Sequence, residues 1–283
     1  MLNGCAYILT VDVGNTFIRF GLFAEDSAAA QECPLATCEI TTPSSITADE
    51  ARMRLVQVMA ALAADAGMPG ALVPAAAVLS CVVPALERPW KVALSRTCTG
   101  RVLTVGPGLK TGMPVHYDDP AEIGPDRIAD AVAARAVYGS PCIVIDLGTT
   151  TNIEVIDARG TFVGGVIAPG LALGARSLSA AAARLPQVEP SAPTHVIGRN
   201  TREAMRSGVV LGEVARIDGM LDMVLAEMRA TKAAGESDVP IVITGDDAEA
   251  LAALVGHSLT VDDALTLRGL AELYHINQKP RRA

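Results

Sequence analysis

Two runs in this chain end an apolar stretch in aspartate and continue through glycine to threonine: Asp12-Val13-Gly14-Asn15-Thr16 and Asp146-Leu147-Gly148-Thr149. These residue types suit a phosphate. Glycine lets the backbone approach a ligand closely, so N–H groups at the turn can line it. Asn15 and Thr16 add side-chain hydrogen bonds, Asp12 can hold Mg²⁺ directly or through water, and Arg19 on the returning strand offers a cation. One such turn is equally an ordinary hairpin with a turn-favouring Asn. The repetition shifts the balance. Residues 8–23 and 143–157 each read as strand, Asp-x-Gly-[Asn/Thr]-Thr, strand, a hairpin with Gly at its tip. Two copies half a chain apart predict two related lobes whose turns clasp a triphosphate in an interlobe cleft.

A third run, Tyr117-Asp-Asp-Pro-Ala-Glu-Ile-Gly124-Pro125-Asp126-Arg127, places Gly then Pro before an apolar-periodic stretch, which marks a helix start. Asp in a first turn complements the helix dipole; Arg does not, so Arg127 is the informative residue. Asp126 is suited to accept a hydroxyl proton, and Arg127 or nearby N–H groups to bind a substrate anion. The dipole and Arg127 should both lower the pKa of Asp126. In a loose phosphoryl-transfer transition state positioning outweighs basicity, so the role stands.

Strands alternating with helices must position these groups, which implies an α/β fold. The pattern predicts a helix over 46–66 with Met53, Val56, Met59 and Leu62 on its buried stripe, a strand over 75–83, a helix over 84–96 and a strand over 101–105. The Gly/Pro/Asp-rich passage 106–120 is the linker, with a first lobe of 1–117 and a second of 118–283. Helices are predicted at 125–138, 170–185, 200–231, 247–255 and 261–276, and a strand at 239–244; the basic tail with Lys279, Arg281 and Arg282 is expected to fray.

Half of the 283 residues are apolar, aromatics are 3% and the net charge is −8, which argues against nucleic-acid and anionic-membrane partners. The six cysteines, at 5, 33, 38, 81, 98 and 142, form no C-x-x-C pair and are expected as free thiols in a reducing cytosol, not zinc ligands or disulfides. The four histidines lack ligand spacing, and His116 reads as an exposed linker residue. Met1-Leu2-Asn3-Gly4-Cys5 has neither the charged nor the apolar region of a lipoprotein leader, and no apolar run is long enough to span a membrane, so a cytoplasmic location is expected. Trp90 is expected in the core or an interface.

The duplicated turn resembles the superfamily of actin, sugar kinases and heat-shock ATPases, whose two lobes share a ribonuclease H-like fold. Within it, Asp12–Thr16, Ser80-Cys-Val-Val-Pro84, Gly124–Arg127, Asp146–Thr149, Gly164-Gly-Val-Ile-Ala-Pro-Gly170 and Ile197-Gly-Arg-Asn-Thr201 occur in the order and spacing of type III pantothenate kinases, from about residue 7 to 277. The resemblance implies transfer of the ATP γ-phosphate to pantothenate, the first step of coenzyme A synthesis. It implies that Asp12, Val13, Gly14, Asn15, Thr16, Phe17, Ile18 and Arg19 form the ATP phosphate loop and that Thr149 touches ATP. Tyr117, Gly124, Pro125, Asp126, Arg127 and Thr201 would bind pantothenate, with Asp126 as proton acceptor. Asp146 would ligate K⁺ or NH₄⁺, and Mg²⁺ would sit near Asp12. A homodimer is implied, with the Ala-rich 178–184 stretch near its contact.

Two departures stand out. The second turn reads Gly-Thr-Thr-Thr where the family usually has Gly-Thr-Ala-Thr, and Thr244-Gly245-Asp246 carries a carboxylate where a second glycine is commoner, which bears on ATP affinity or selectivity. The alternatives are a kinase for another small hydroxylated substrate and a non-catalytic regulator on the same fold; the latter should have lost Asp12, Asp126 or Asp146, and none is lost.

Overall fold

Each half of the chain builds the same five-stranded sheet. In the computed structural model, which describes residues 6–26, 32–68, 72–182, 184–236 and 238–278, the first comprises β1 (Tyr7–Val13), β2 (Phe17–Ala24), β3 (Ala36–Thr41), β4 (Ala76–Cys81) and β5 (Val102–Thr104). The second comprises β6 (Cys142–Leu147), β7 (Thr150–Ile156), β8 (Phe162–Pro169), β9 (Ile241–Gly245) and β10 (Thr260–Val261). The orders are β3-β2-β1-β4-β5 and β10-β9-β6-β7-β8. Read from its own first strand, each sheet is a three-stranded antiparallel meander extended by two parallel strands. The duplication expected from the hairpins therefore extends to the whole sheet; the third strand of each meander escaped the periodicity reading.

Burial explains the strand sequences. β1, β4 and β6 are central and almost wholly buried, so they read as near-continuous apolar runs. β3 lies on an edge and alternates. Helix α1 (Ala48–Asp65) starts at Thr47, whose side chain accepts from the Glu50 N–H while Glu50 reaches back to the Thr47 N–H, a reciprocal cap. Its buried face is Ala51, Leu55, Val58, Met59, Leu62 and Ala63, whereas Met53 and Val56 are exposed. Half of the predicted stripe is thus on the wrong face, because several overlapping 3.6-residue stripes fit this Ala/Val/Met-rich segment. Helix α2 (Pro84–Thr97) has Pro at its first position and buries Trp90 against Phe20, ring centroids 5.6 Å apart.

By contacts the chain forms two units, Met1–Val137 with Ala264–Ala283, and Tyr138–Asp263. This differs from a division at the 117/118 linker: nearly all of helix α3 (Pro125–Tyr138), with Asp126 and Arg127, falls in the first unit. In the second unit lie α4 (Leu171–Ala181), α5 (Thr201–Arg206), a π-helical turn (Ser207–Leu211), α6 (Gly212–Ala230) and α7 (Ala248–Ala252). The single helix expected over 200–231 is thus interrupted by the π turn. The last helix, α8 (Leu265–Ile276), returns to the first unit, where Gly269 lies against the Ala129 backbone so closely that a Cβ would overlap it. Tyr274 Oη donates to Glu25 at 2.9 Å, and Asn277 Nδ2 to the Lys110 carbonyl at 2.8 Å. Among the described residues no helix is long and apolar enough to cross a membrane. The expectations for Cys5 and the basic tail lie outside the described residues.

Candidate active site

The first turn closes when the Gly14 N–H donates to the Phe17 carbonyl at 3.0 Å. Thr42, just beyond β3, braces it: its N–H donates to the Thr16 carbonyl at 2.9 Å and its hydroxyl to the Gly14 carbonyl at 2.8 Å. Asn15 and Thr16 are left exposed at the tip, Val13 and Ile18 are buried anchors, and Phe17 is half-buried. Strand register sets Glu39, Arg19, Asp12 and Ser80 in one row across β3, β2, β1 and β4. Arg19 Nε donates to Glu39 at 3.0 Å. Asp12 is only 8% exposed, and its pKa is raised to about 6, first by burial and then by the charge of Asp126, against smaller opposing effects of Ser80 and Arg19.

Asp126 and Arg127 open α3, in the same unit as Asp12. The Asp126 side chain folds over Gly124, where a Cβ would collide with Oδ1, and Oδ1 accepts the Arg127 N–H at 2.8 Å. Pro125 is the first helical residue. Contrary to the expectation from the helix dipole, the pKa of Asp126 is raised: burial outweighs both the Arg127 N–H and its guanidinium. A base that the sequence makes weak is strengthened by being dry. Arg127 is itself buried, at 5% exposure, and Tyr117 is half-buried in the 106–119 loop of the same unit.

In the second unit, Asp146 stands at the end of β6, half-exposed, with Asn152 and Thr244 as its register partners on β7 and β9. Thr149, half-buried in the turn, accepts the Gly170 N–H at its carbonyl at 3.0 Å. Gly170 must lack a side chain, since a Cβ would overlap the Gly148 carbonyl. The fixing groups come from α6: Thr151 donates to the buried Glu213 at 2.6 Å, Glu213 also pairs with Arg216, and Arg216 donates to the Pro169 carbonyl at 2.5 Å. Gly245, at φ +91°, lies so close to the Leu147 carbonyl and Asp146 Oδ1 that any Cβ would overlap them. The Asp246 N–H donates to that carbonyl at 2.5 Å, so the carboxylate of Asp246 is carried on the turn that follows β9.

Thr201 is exposed at the first position of α5. Asn200 is the cap, accepting the Glu203 N–H at 3.0 Å, so the Thr201 hydroxyl is not consumed by capping. The described cysteines are free; burial pushes Cys81 and Cys98 to about 11 and Cys142 to about 12, thiols without nucleophilic character.

Both aspartates suggested by the sequence offer hard oxygen donors: Asp12 Oδ1 is buried with no hydrogen-bond partner, and the carboxylate of Asp146 is half-exposed near the end of β6. Among the described residues no group of three or more His, Cys, Asp or Glu could hold a metal, so an ion at Asp12 would depend largely on phosphate and water oxygens. The structure thus brings Asp12, Arg19 and Asp126 into one unit, and Asp146 and Thr149 into the hairpin of the other. Sequence reasoning missed Glu39, Thr42, Glu213 and Arg216, which support the turns from distant segments; only Ser80 had a signal, as the head of a motif without an assigned role.

The chain is similar to known proteins. A family model described as type III pantothenate kinase matches residues 8–223. The type III pantothenate kinase of Nocardia farcinica is 40% identical, with 97% of this chain and 99% of that protein covered. That of Koribacter versatilis is 37% identical, with 97% of each covered. Among solved structures, a conserved Baf family protein from Campylobacter jejuni superposes with a TM-score of 0.57 at 18% identity, covering 95% of this chain and 98% of that one, and is similar in fold alone. The duplicated sheet, the paired turns and the full-length kinship agree: the chain belongs to the type III pantothenate kinase family.

Proposed function

We propose that this chain transfers the γ-phosphate of ATP to the hydroxyl of pantothenate, giving 4′-phosphopantothenate and ADP, the first step of coenzyme A synthesis. The observation that carries the reading is the pairing of Asp12 and Asp126 in one unit, each with its pKa raised by burial, within a chain of this family. One carboxylate faces the nucleotide and its metal; the other serves the alcohol.

Asp126 accepts the proton as the pantothenate oxygen bonds to the γ-phosphorus and the bond to ADP breaks. Its raised pKa makes it the stronger base for that transfer, and activity is expected to fall with pH as Asp126 protonates. Arg127, Tyr117, Gly124 and Pro125 hold pantothenate, and Thr201 supplies the hydroxyl left free by the Asn200 cap. Residues 12–19 bind the ATP phosphates, with the Gly14 turn giving backbone access and Arg19 a positive charge, and Thr149 contacts the nucleotide. A divalent ion at Asp12 and a monovalent ion at Asp146, K⁺ or NH₄⁺, neutralise phosphate charge when bound. Asp246 bears on nucleotide affinity and selectivity.

The protein acts in the cytoplasm as a homodimer in this reading. The exposed apolar residues Ile167, Leu178, Val196 and Ile197 of the second unit support the dimer. ADP release, coupled to an indicator enzyme and measured with pantothenate in the presence and absence of K⁺, tests the proposal. K⁺-stimulated, pantothenate-dependent turnover is expected; no turnover under either condition rejects it.

A further inference from the structure

The row that carries Asp12 contains a group with no role in the reaction as described. Ser80 is the parallel-strand partner of Asp12, on the side opposite Arg19. It is fully buried, and its Oγ bears on the Asp12 carboxylate, yet neither that oxygen nor Oδ1 of Asp12 meets a partner at good hydrogen-bond geometry. The two lie close enough for the hydroxyl to hold the Asp12 carboxyl somewhat down. A buried polar atom without a partner costs about 1–3 kcal/mol. The hydroxyl's pull on the carboxylate leaves acceptor capacity on both, which a third body, a water or an ion, would complete.

Their position says which body. Both stand near the C-terminal ends of adjacent parallel strands, where open α/β sheets place their ligands. Ser80 can donate one hydrogen bond and accept others, whereas an ionised Asp12 only accepts. Water bound to a hard cation matches that pair. The second unit repeats the arrangement, with the hydroxyl residue Thr244, 2% exposed, as the parallel partner of Asp146. What was duplicated is therefore an aspartate with a hydroxyl on the neighbouring strand.

We propose that Ser80 is a positioning residue of the kinase, whose hydroxyl, together with Asp12 Oδ1, holds the hydrated divalent cation. The proposal rests on the reading that Asp12 holds that ion. Ser80 acts on the ion and its water, not on the nucleotide. Its removal should weaken metal binding without weakening metal-free nucleotide binding, a separation that general loosening of the fold would not produce.

The test uses the full-length protein with ADP present, titrated with Mn²⁺ while free ion is counted by electron paramagnetic resonance. Ser80→Ala is expected to weaken Mn²⁺ binding about 10-fold, the scale of losing an outer-shell partner. ADP affinity measured in a chelator should stay unchanged. Ser80→Cys keeps the volume but replaces the hydroxyl with a poorly hydrated thiol, so it should show the same loss and serves if the alanine variant does not fold. Asp12→Asn should abolish the binding. Unchanged Mn²⁺ affinity in the Ser80 variants alongside loss in Asp12→Asn overturns the role of Ser80. An equal loss of metal-free ADP binding overturns it as well. Retained binding in Asp12→Asn overturns instead the assignment of Asp12 as the ion's holder.

Discussion

The two units share strand order, the aspartate at the end of the central strand and the hydroxyl on its parallel neighbour, yet they surround that aspartate differently. In the first, Asp12 lies between the cation Arg19 and the hydroxyl of Ser80 and is buried. In the second, Asp146 faces Asn152 and is half-exposed; the next residue along that row is Ile167. Support differs too. One threonine, Thr42, braces the first turn through two hydrogen bonds, whereas the buried Glu213 and its partly exposed partner Arg216 on α6 fix the second. Topology supplies an acid at a fixed place, and the flanking side chains decide what that acid can do. A buried, charge-flanked carboxylate suits a hard divalent ion near phosphates, whereas the half-exposed Asp146 stays open to solvent.

The sharpest way to separate the units is at the base. Asp126→Asn is expected to lower kcat about 10²- to 10⁴-fold with no loss of folded stability. Asp146→Asn should act instead through the concentration of K⁺ needed for half-maximal rate. Equal effects of both on kcat at saturating K⁺ would erase the division of labour.

Next in size is the brace of the second turn. Glu213→Ala leaves Arg216 and Thr151 without their partner and should cost about 3 kcal/mol of unfolding free energy, toward the lower end for a broken buried pair because Arg216 is one-third exposed. Denaturant unfolding monitors this, and Thr42→Ala in the first unit, which loses one hydroxyl bond, should cost only about 1 kcal/mol.

Asp12 gives a pH signature. Its folded pKa, about 6, lies above its ordinary value of 3.8, so the native state takes up protons more readily than the unfolded chain. The charged carboxylate therefore opposes folding above pH 6, and that penalty fades as pH falls toward 4. Asp12→Asn should raise stability at pH 7 by about 2–3 kcal/mol and lose this advantage near pH 4 while inactivating the protein. A variant no more stable than wild type at pH 7 would show that Asp12 is not strained by its burial.

The smallest contrast concerns glycines. Gly245→Ala, with φ +91° and a carbonyl in the way, should destabilise by about 1–3 kcal/mol. Gly14→Ala, whose Cβ would sit 3.0 Å from the Phe17 oxygen, should cost less than Gly245→Ala. Thermal melts of both rank the first turn against the end of β9.

Much of this was legible because it is local and repeated. The two hairpins, the Thr47 cap, Pro84 and Pro125 at helix starts and Gly139 after α3 announce themselves within a few residues. Register is not local. Nothing near Ser80 or Glu39 in the chain reveals that β-pairing aligns them with Asp12 and Arg19. The same holds for Glu213, which is separated from Thr151 by 62 residues. Met53 and Val56 misled because hydrophobicity alone does not choose among overlapping faces of an apolar helix. Asp126 misled in another way: its dipole and neighbouring cation are visible in sequence, but the burial that outweighs them exists only after folding.

Transfer of phosphate onto pantothenate is followed by supplying ATP labelled at the γ-phosphate, with Mg²⁺, K⁺ and pantothenate, and tracing the label. Label is expected in 4′-phosphopantothenate with wild-type protein and almost none with Asp126→Asn. Label that stayed in ATP or passed only to water would rule out the reaction, and an Asp126→Asn variant that transferred it at the wild-type rate would rule out Asp126 as the base.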